Sequence, residues 1–309
     1  MRGRWLVVAL LASSATAMAQ ACGGGGALLQ VLGSGGPDMG DRRAASSLLV
    51  WIDGKARVLV DAGAGAALRF AESGAQTDDL DVLLLTRLYA DHTSDLPALA
   101  ETAKLQARTR TLPVYGPVAS RLMPSTVMFV RGTFDSLRGT YRYLGDLIAP
   151  LGKTSYKLEP HDVTPPPAKI GAPRVRAPAP IPVFRNERVR ILALPVTTDN
   201  IPALAYRIET GDRAVVVTGD AAADGADLRP LGGGVDLLAV PHAVPEGAAG
   251  PDPTPSALGR LAQELAAHQL VLVHRTPATR GREEESLAAI RKTYSGPVQF
   301  ADDLGCYHL

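Results

Sequence analysis

Thr86-Arg87-Leu88-Tyr89-Ala90-Asp91-His92 is the stretch on which the fold of this chain turns. It follows Asp81 to Leu85, a continuous apolar run expected for a strand buried on both faces. It precedes Ser94 to Arg108, where Leu96, Leu99, Ala100 and Ala103 recur at helical spacing. Asp91 and His92 therefore stand where a buried strand gives way to a loop, the position at which functional side chains gather in sheet proteins.

Two further polar residues occupy equivalent places. Asp220 ends an expected strand at Ala214 to Thr218, and His274 ends one at Leu270 to Val273. Two carboxylates and two imidazoles form a ligand set suited to zinc or a similar divalent ion. Between these points the pattern is regular. Ala27 to Leu32 is a short apolar strand, and the glycine-rich turn after it lacks the Lys-Ser/Thr of a phosphate loop. Ser47 to Ile52 and Ala56 to Asp61 flank Asp53-Gly54, a strong hairpin signal. Leu204 to Glu209 and Ala214 to Thr218 form a second hairpin around Gly211-Asp212. Leu237 to Val240 and Val298 to Ala301 are strands, and Ser256 to His268 and Gly281 to Tyr294 are helices. From Pro117 to Val183 the pattern blurs, with Pro165-Pro166-Pro167 and the proline-spaced Pro173 to Pro182 expected as loops or extended edges, and the whole is expected to be a large insertion within a single domain spanning 20–309. Two halves of hairpins, buried strands and outer helices imply two packed sheets covered by helices on both sides.

With these residues in place the chain resembles the metallo-β-lactamase superfamily, in its ribonuclease Z and arylsulfatase-like branch. Arg87 to His92 aligns with the family's H-x-H-x-D-H signature. The resemblance extends to Val58 to Gly63, Ser94 to Leu99, Pro202 to Arg207, Thr218-Gly219-Asp220 and His274-Arg275. It covers nearly all of the chain beyond its first residues and implies a four-layer αββα sandwich of two mixed sheets. In that family two metal ions about 3.5–4 Å apart clamp the bond to be broken. The positions matching the first ion's histidines hold Arg87, Tyr89 and, by alignment of Pro195 to Pro202, Thr198. The positions matching the second ion's ligands are intact as Asp91, His92, Asp220 and His274. The resemblance thus implies one divalent ion, zinc first and iron or manganese as alternatives, or none at all.

Arg87 is the informative replacement, because a guanidinium keeps its proton and cannot ligate a cation. It pairs with Asp220 or Asp91 in place of an ion, or stands in for the missing charge and binds an anionic substrate, or, with Tyr89, simply fills the vacated space. Tyr89 would donate a hydrogen bond in either of the first two cases, so Asp91, Arg87 and Tyr89 are the candidate catalytic residues. Among the remaining histidines, His242 is expected to make a structural hydrogen bond, and His161, His268 and His308 lack ligand-like surroundings.

The two ends of the chain carry a separate message. Arg2 and Arg4, the apolar run Trp5 to Leu11 and Ala17-Met18-Ala19 form a basic, hydrophobic and small-residue series typical of a cleaved export signal over 1–19. An uncleaved anchor is the alternative, and Ala19-Gln20-Ala21 is a poor lipidation signal for Cys22. No stable membrane insertion is expected after cleavage, since no other segment is apolar enough to cross a bilayer. The destination would be the periplasm or the medium. Cys22 and Cys306, the two cysteines, would be bridged there, constraining the unfolded chain by about 4–5 kcal/mol in principle.

The formal net charge of +1, falling to −1 without Arg2 and Arg4, and the 5% aromatic content argue against nucleic acid as a partner. The expectation is a hydrolase for a small anionic substrate, a phosphate, sulfate or acyl ester. The competing expectation is a catalytically inactive member that binds a ligand or partner. True β-lactamase action has no support beyond the shared fold.

Overall fold

The structure is a computed structural model that describes residues 22, 25–164, 179–198, 201–220, 227–250 and 252–309. The expected export signal over 1–19 and part of the proline-rich segment lie outside the described residues. Six strands build most of the first sheet: β1 (Ala27–Gly33), β2 (Ser47–Ile52), β3 (Lys55–Val60), β4 (Val82–Leu84), β5 (Leu112–Gly116) and β6 (Leu158–Asp162). The next seven build the second: β7 (Ile181–Arg185), β8 (Arg190–Thr198), β9 (Ile201–Thr210), β10 (Arg213–Val217), β11 (Leu237–Pro241), β12 (Gln269–Val273) and β13 (Val298–Phe300). The chain then returns to the first sheet, where β14 (Gly305–His308) lies antiparallel to β1. The spatial orders are β14-β1-β2-β3-β4-β5-β6 and β13-β12-β11-β10-β9-β8-β7.

Each sheet is mixed. Strands β3 to β6 run parallel, as do β10 to β13, while the hairpins β2–β3 and β9–β10 are antiparallel. Side-chain alternation assigns each strand two faces. In β1, Leu29 and Val31 point between the sheets with Val58, Val60, Ile191, Tyr206 and Val271. Leu28 and Leu32 point outward, into a layer with Phe70, Leu96 and Leu99. That outer layer contains α1 (Ala66–Glu72), α3 (Leu96–Leu105) and α4 (Thr126–Phe134), with the single turn α2 (Ala90–Thr93) leading into α3. On the far side, α5 (Pro255–Glu264) and α6 (Glu283–Ile290) bury Leu258, Ala262 and Ile290 against Leu238, Leu270 and Leu272. The result is the four-layer αββα sandwich expected from the sequence.

Two local expectations change. The blurred segment 117–183 holds regular elements: it contains α4 and β6, and β7 begins within it, so one edge strand of each sheet comes from this part of the chain. The helices are also shorter than their apolar spacing suggests. Ala107 and Ala266 take left-handed φ of 56° and 45° and end α3 and α5 before Arg108 and His268. Among the described residues, no helix is long and apolar enough to cross a membrane. Cys22 and Cys306 are disulfide-bonded, with Cα atoms 5.8 Å apart, fastening the start of the chain to β14.

Candidate metal centre at the strand ends

Parallel strands place their carboxyl ends on one rim, and the loops leaving that rim carry the site. Asp61 follows β3, Arg87 to His92 follow β4, Asp220 follows β10 and His274 follows β12. The turns are tightly specified. Gly219 has φ of 56°, and a Cβ there would lie 2.8 Å from Thr86 Cβ, so only glycine fits between the two loops. A Cβ on Gly63 would stand 2.1 Å from the carbonyl oxygen of Asp91. Asp61 and His274 hold left-handed φ of 60° and 48°, a conformation that costs free energy in non-glycine residues and concentrates at functional sites.

The four residues singled out by sequence converge. Ligand atoms of Asp91, His92, Asp220 and His274 all lie within 4.8 Å of one another. Nε2 of His274 is 3.1 Å from Oδ2 of Asp91 and 3.3 Å from Oδ2 of Asp220. Nε2 of His92 is 3.5 Å and 3.3 Å from the same two oxygens. The two rings stack 5.5 Å apart at 26°. His92, Asp220 and His274 are buried, and Asp91 is half-buried. Behind them is a cavity of about 20 Å³ lined in part by Ser47, Asp61 and Gly219, the size of one water molecule.

Arg87 faces this cluster. Its Nη1 donates to Oδ2 of Asp220, the oxygen that both imidazoles approach, and its guanidinium lies 4.1 Å from the centre of the Tyr89 ring. Burial works against the charged form of Arg87, but the carboxylate of Asp220 outweighs it and the pKa rises. Tyr89 therefore acts as a platform under the guanidinium rather than reaching the carboxylates through a described hydrogen bond. Thr198 ends β8.

Sequence reasoning missed Asp61. Its Oδ2 accepts from Nδ1 of His92 at 2.9 Å and from the Thr86 hydroxyl at 2.7 Å, and its Oδ1 accepts from the Thr86 backbone N–H at 2.7 Å. The signal was an acidic residue closing a buried strand, masked by its place in a hairpin. Burial opposes a charge on His92, but Asp61 and Asp220 outweigh it and push its pKa up to about 10. Asp220 is held well below the usual carboxylate range: its burial is offset by His274, His92 and Arg87.

The donor set fits a divalent cation. Asp61, Asp91 and Asp220 carry three negative charges and Arg87 one positive, so once the histidines give up their protons, as ligation requires, the buried group is two charges short of neutrality. One divalent ion supplies that balance, and nitrogen and oxygen ligands suit zinc, iron or manganese. His242 is elsewhere, hydrogen-bonded with Ser286 at 2.9 Å, the structural role expected of it. His161 stacks on Tyr115, and His268 is exposed near Asp236.

Known proteins place this geometry. The family model for the beta-lactamase superfamily domain matches residues 56–275. The ribonuclease Z of Mycolicibacterium paratuberculosis is 28% identical over 290 residues, covering 89% of this chain and 95% of that protein. The metallo-beta-lactamase fold protein YhfI from Bacillus subtilis superposes with a TM-score of 0.68 at 21% identity, covering 91% of this chain and 98% of the other. Human tRNase Z, short form, gives 0.66 at 20% identity, covering 90% and 98%.

These relatives overturn the expectation that excluded nucleic acid, since ribonuclease Z is named for action on RNA. A net charge of +1 is a sum over the whole chain and hides local clusters of positive charge. Locally, Arg42, Arg43, Arg275 and Arg280 line a single cavity beside the site. The chain belongs to the metallo-β-lactamase superfamily, and it is similar to ribonuclease Z over most of its length.

Proposed function

We propose that the chain is an exported hydrolase of phosphate diesters that works with one divalent cation beside a fixed guanidinium. The observation that carries this reading is the convergence of the ligand atoms of Asp91, His92, Asp220 and His274 to within 4.8 Å of one another. The diester is favoured over a sulfate or acyl ester because the ribonuclease Z relatives are named for cleaving RNA, a phosphodiester chain. Export is supported by the Cys22–Cys306 disulfide, a bond that persists in oxidising compartments, and by the signal-like sequence of 1–19.

A divalent ion held by these four residues would act as a Lewis acid on the phosphate and lower the pKa of water towards ~7. The remaining steps belong to the protein. Arg87 faces the diester's anionic oxygens and stabilises the charge that builds on them as water oxygen bonds to phosphorus. Tyr89 keeps the guanidinium in place by stacking. The P–O ester bond breaks with its electron pair on the leaving alcohol oxygen. Asp91, the most open of the four ligands at 11% side-chain exposure, takes the proton from water and passes it to that oxygen.

One observation favours a second reading, an inactive binding protein. Arg87 already satisfies Asp220 Oδ2, the oxygen an ion would need. The two readings separate on one experiment. Elemental mass spectrometry of protein purified without added metal or chelator is expected to find about one equivalent of zinc, iron or manganese, absent from His274→Ala. Hydrolysis of bis(p-nitrophenyl) phosphate should follow the metal. Absence of metal in both proteins, even after reloading, leaves the binding protein. N-terminal sequencing of the protein recovered outside the cytoplasm tests export, with Gln20 as the expected first residue.

A further inference from the structure

We propose a second anion site, a phosphate-binding cavity formed by Arg42 and Arg280 on the outer side of the Gly36–His274 contact. It rests on the hydrolase reading above only in taking the occupant to be part of the same substrate. The cavity measures about 390 Å³ and is lined by Arg42, Arg43, Arg275 and Arg280, with Asp41 and Glu283 as the acidic members.

The charges in this lining divide into two sets. Arg43 is committed: its Nη1 donates to Ser34 Oγ at 2.8 Å, Asp302 Oδ1 at 2.8 Å and the Ala301 carbonyl at 3.2 Å, and its Nε lies 3.7 Å from Asp41. Arg275 is committed too, bonded to Glu283 and lying 5.4 Å from the centre of the Phe300 ring. Both carboxylates are thereby matched. Arg42 and Arg280 are exposed, and among the described residues neither side chain has a hydrogen-bond or ion-pair partner. Two positive charges are left without compensation on the wall of one cavity.

The backbone presents both residues from the walls of the candidate metal centre. Arg42 caps a short 3₁₀ turn, Met39–Asp41, with φ of 62° and its N–H bonded to the Met39 carbonyl at 3.0 Å. That turn leaves the glycine-rich loop whose Gly36 abuts His274, where an added Cβ would stand 3.1 Å from the ring. Arg280 follows a matching turn, Pro277–Thr279, that leaves His274 itself. Paired guanidinium forks are the protein groups best matched to phosphate oxygens. A chain whose scissile phosphate lies at the four ligands would lay a neighbouring phosphate here.

The phosphate has two possible sources, a polymer backbone or a free or terminal phosphate. Isothermal titration of chelator-treated protein with inorganic pyrophosphate, and separately with an unstructured 12-nucleotide RNA, distinguishes them. The variant is Arg42→Asn with Arg280→Gln, asparagine being tolerant of the left-handed backbone, and the control is Arg121→Gln. Saturable binding of either probe, weakened at least tenfold in the double variant and unchanged in the control, supports the site and names its source. No saturable binding by the parent protein, or equal binding by the double variant, overturns it. Metal content of the same batches separates this outcome from the fate of the single-ion reading. Phosphate binding that is weakened in the double variant of a protein that never takes up metal keeps this site and sinks that reading. Metal uptake without an effect of the arginines does the reverse.

Discussion

Asp61 and His92 form a buried hydrogen bond of 2.9 Å that decides where the imidazole aims. An ionised carboxylate only accepts, so Nδ1 keeps its proton, and it is Nε2, facing Asp91, Asp220 and His274, that would release its proton and offer a lone pair to a bound ion. Carboxylates in this supporting position typically affect metal affinity by about 10–100-fold. Asp61→Asn is the apt change, since asparagine tolerates the residue's φ of 60°. Chelator competition is expected to show weaker binding of the single ion in that range, with an unchanged circular dichroism spectrum. Unaltered affinity would show that Asp61 serves Thr86 alone.

Arg87 makes opposite demands on binding and on rate, and Arg87→Met separates them. Removing the guanidinium takes one positive charge from a buried group already two charges short, and it frees Asp220. Affinity for a divalent ion is therefore expected to rise about tenfold, the equivalent of about 1.4 kcal/mol. Diester hydrolysis should fall by about 10²–10³-fold, the usual loss when one preorganised charge at the reacting group is removed. Tighter metal with slower turnover is the signature. If turnover rises with affinity, Arg87 is an inhibitor of the site rather than part of it.

The legibility of this chain follows from burial. Val82 to Leu85 and Leu237 to Val240 lie in strands paired on both sides, so their sequences are continuous apolar runs. The site residues were legible because each stands on the connection that leaves a buried strand, His274 directly, Asp220 after Thr218-Gly219, and Asp91 and His92 in the helical turn beyond β4. Of the edge strands β13 was legible, but β6 and β7 were not. β6 reads Leu-Glu-Pro-His-Asp and β7 reads Ile-Pro-Val-Phe-Arg; each pairs on one side only, where proline and charge are tolerated. Helix α4 hid because Thr126, Val127, Val130 and Gly132 are poor helix formers held by tertiary packing, with Val130 and Phe134 buried. The position of Arg87 on Asp220 was open for a different reason: a long side chain's direction depends on contacts from β10, more than a hundred residues away.

The disulfide makes a separate prediction. β14 pairs with β1 on one side and forms the edge of its sheet on the other, so the Cys22–Cys306 bond adds a covalent hold to a four-residue strand. Cys22→Ser with Cys306→Ser is expected to lower the unfolding free energy by about 2–4 kcal/mol, the usual range for a native bridge. Denaturant titration of oxidised parent, reduced parent and double variant checks it. Reduced parent and variant should coincide. A variant as stable as the oxidised parent would show that strand pairing alone secures this corner.

His242 gives the pH dependence that is independent of the metal centre. It is fully buried at the end of β11, hydrogen-bonded with Ser286, and burial together with the nearby charge of Arg275 pushes its pKa down to about 4. The unfolded chain binds this proton near pH 6.5, so between about pH 6.5 and pH 4 the unfolded state holds more protons than the folded one. Stability is therefore lost as the pH falls through that window, and by pH 4.5 the loss from this one residue is about 2.5 kcal/mol. His242→Gln keeps a polar group for Ser286 and removes the titration. Urea unfolding at pH 7.5 and pH 4.5 should show the parent losing about that much more than the variant. Equal losses in both would mean that the imidazole takes its proton within the fold, and that the pocket around Phe300 and Ser286 accommodates the charge.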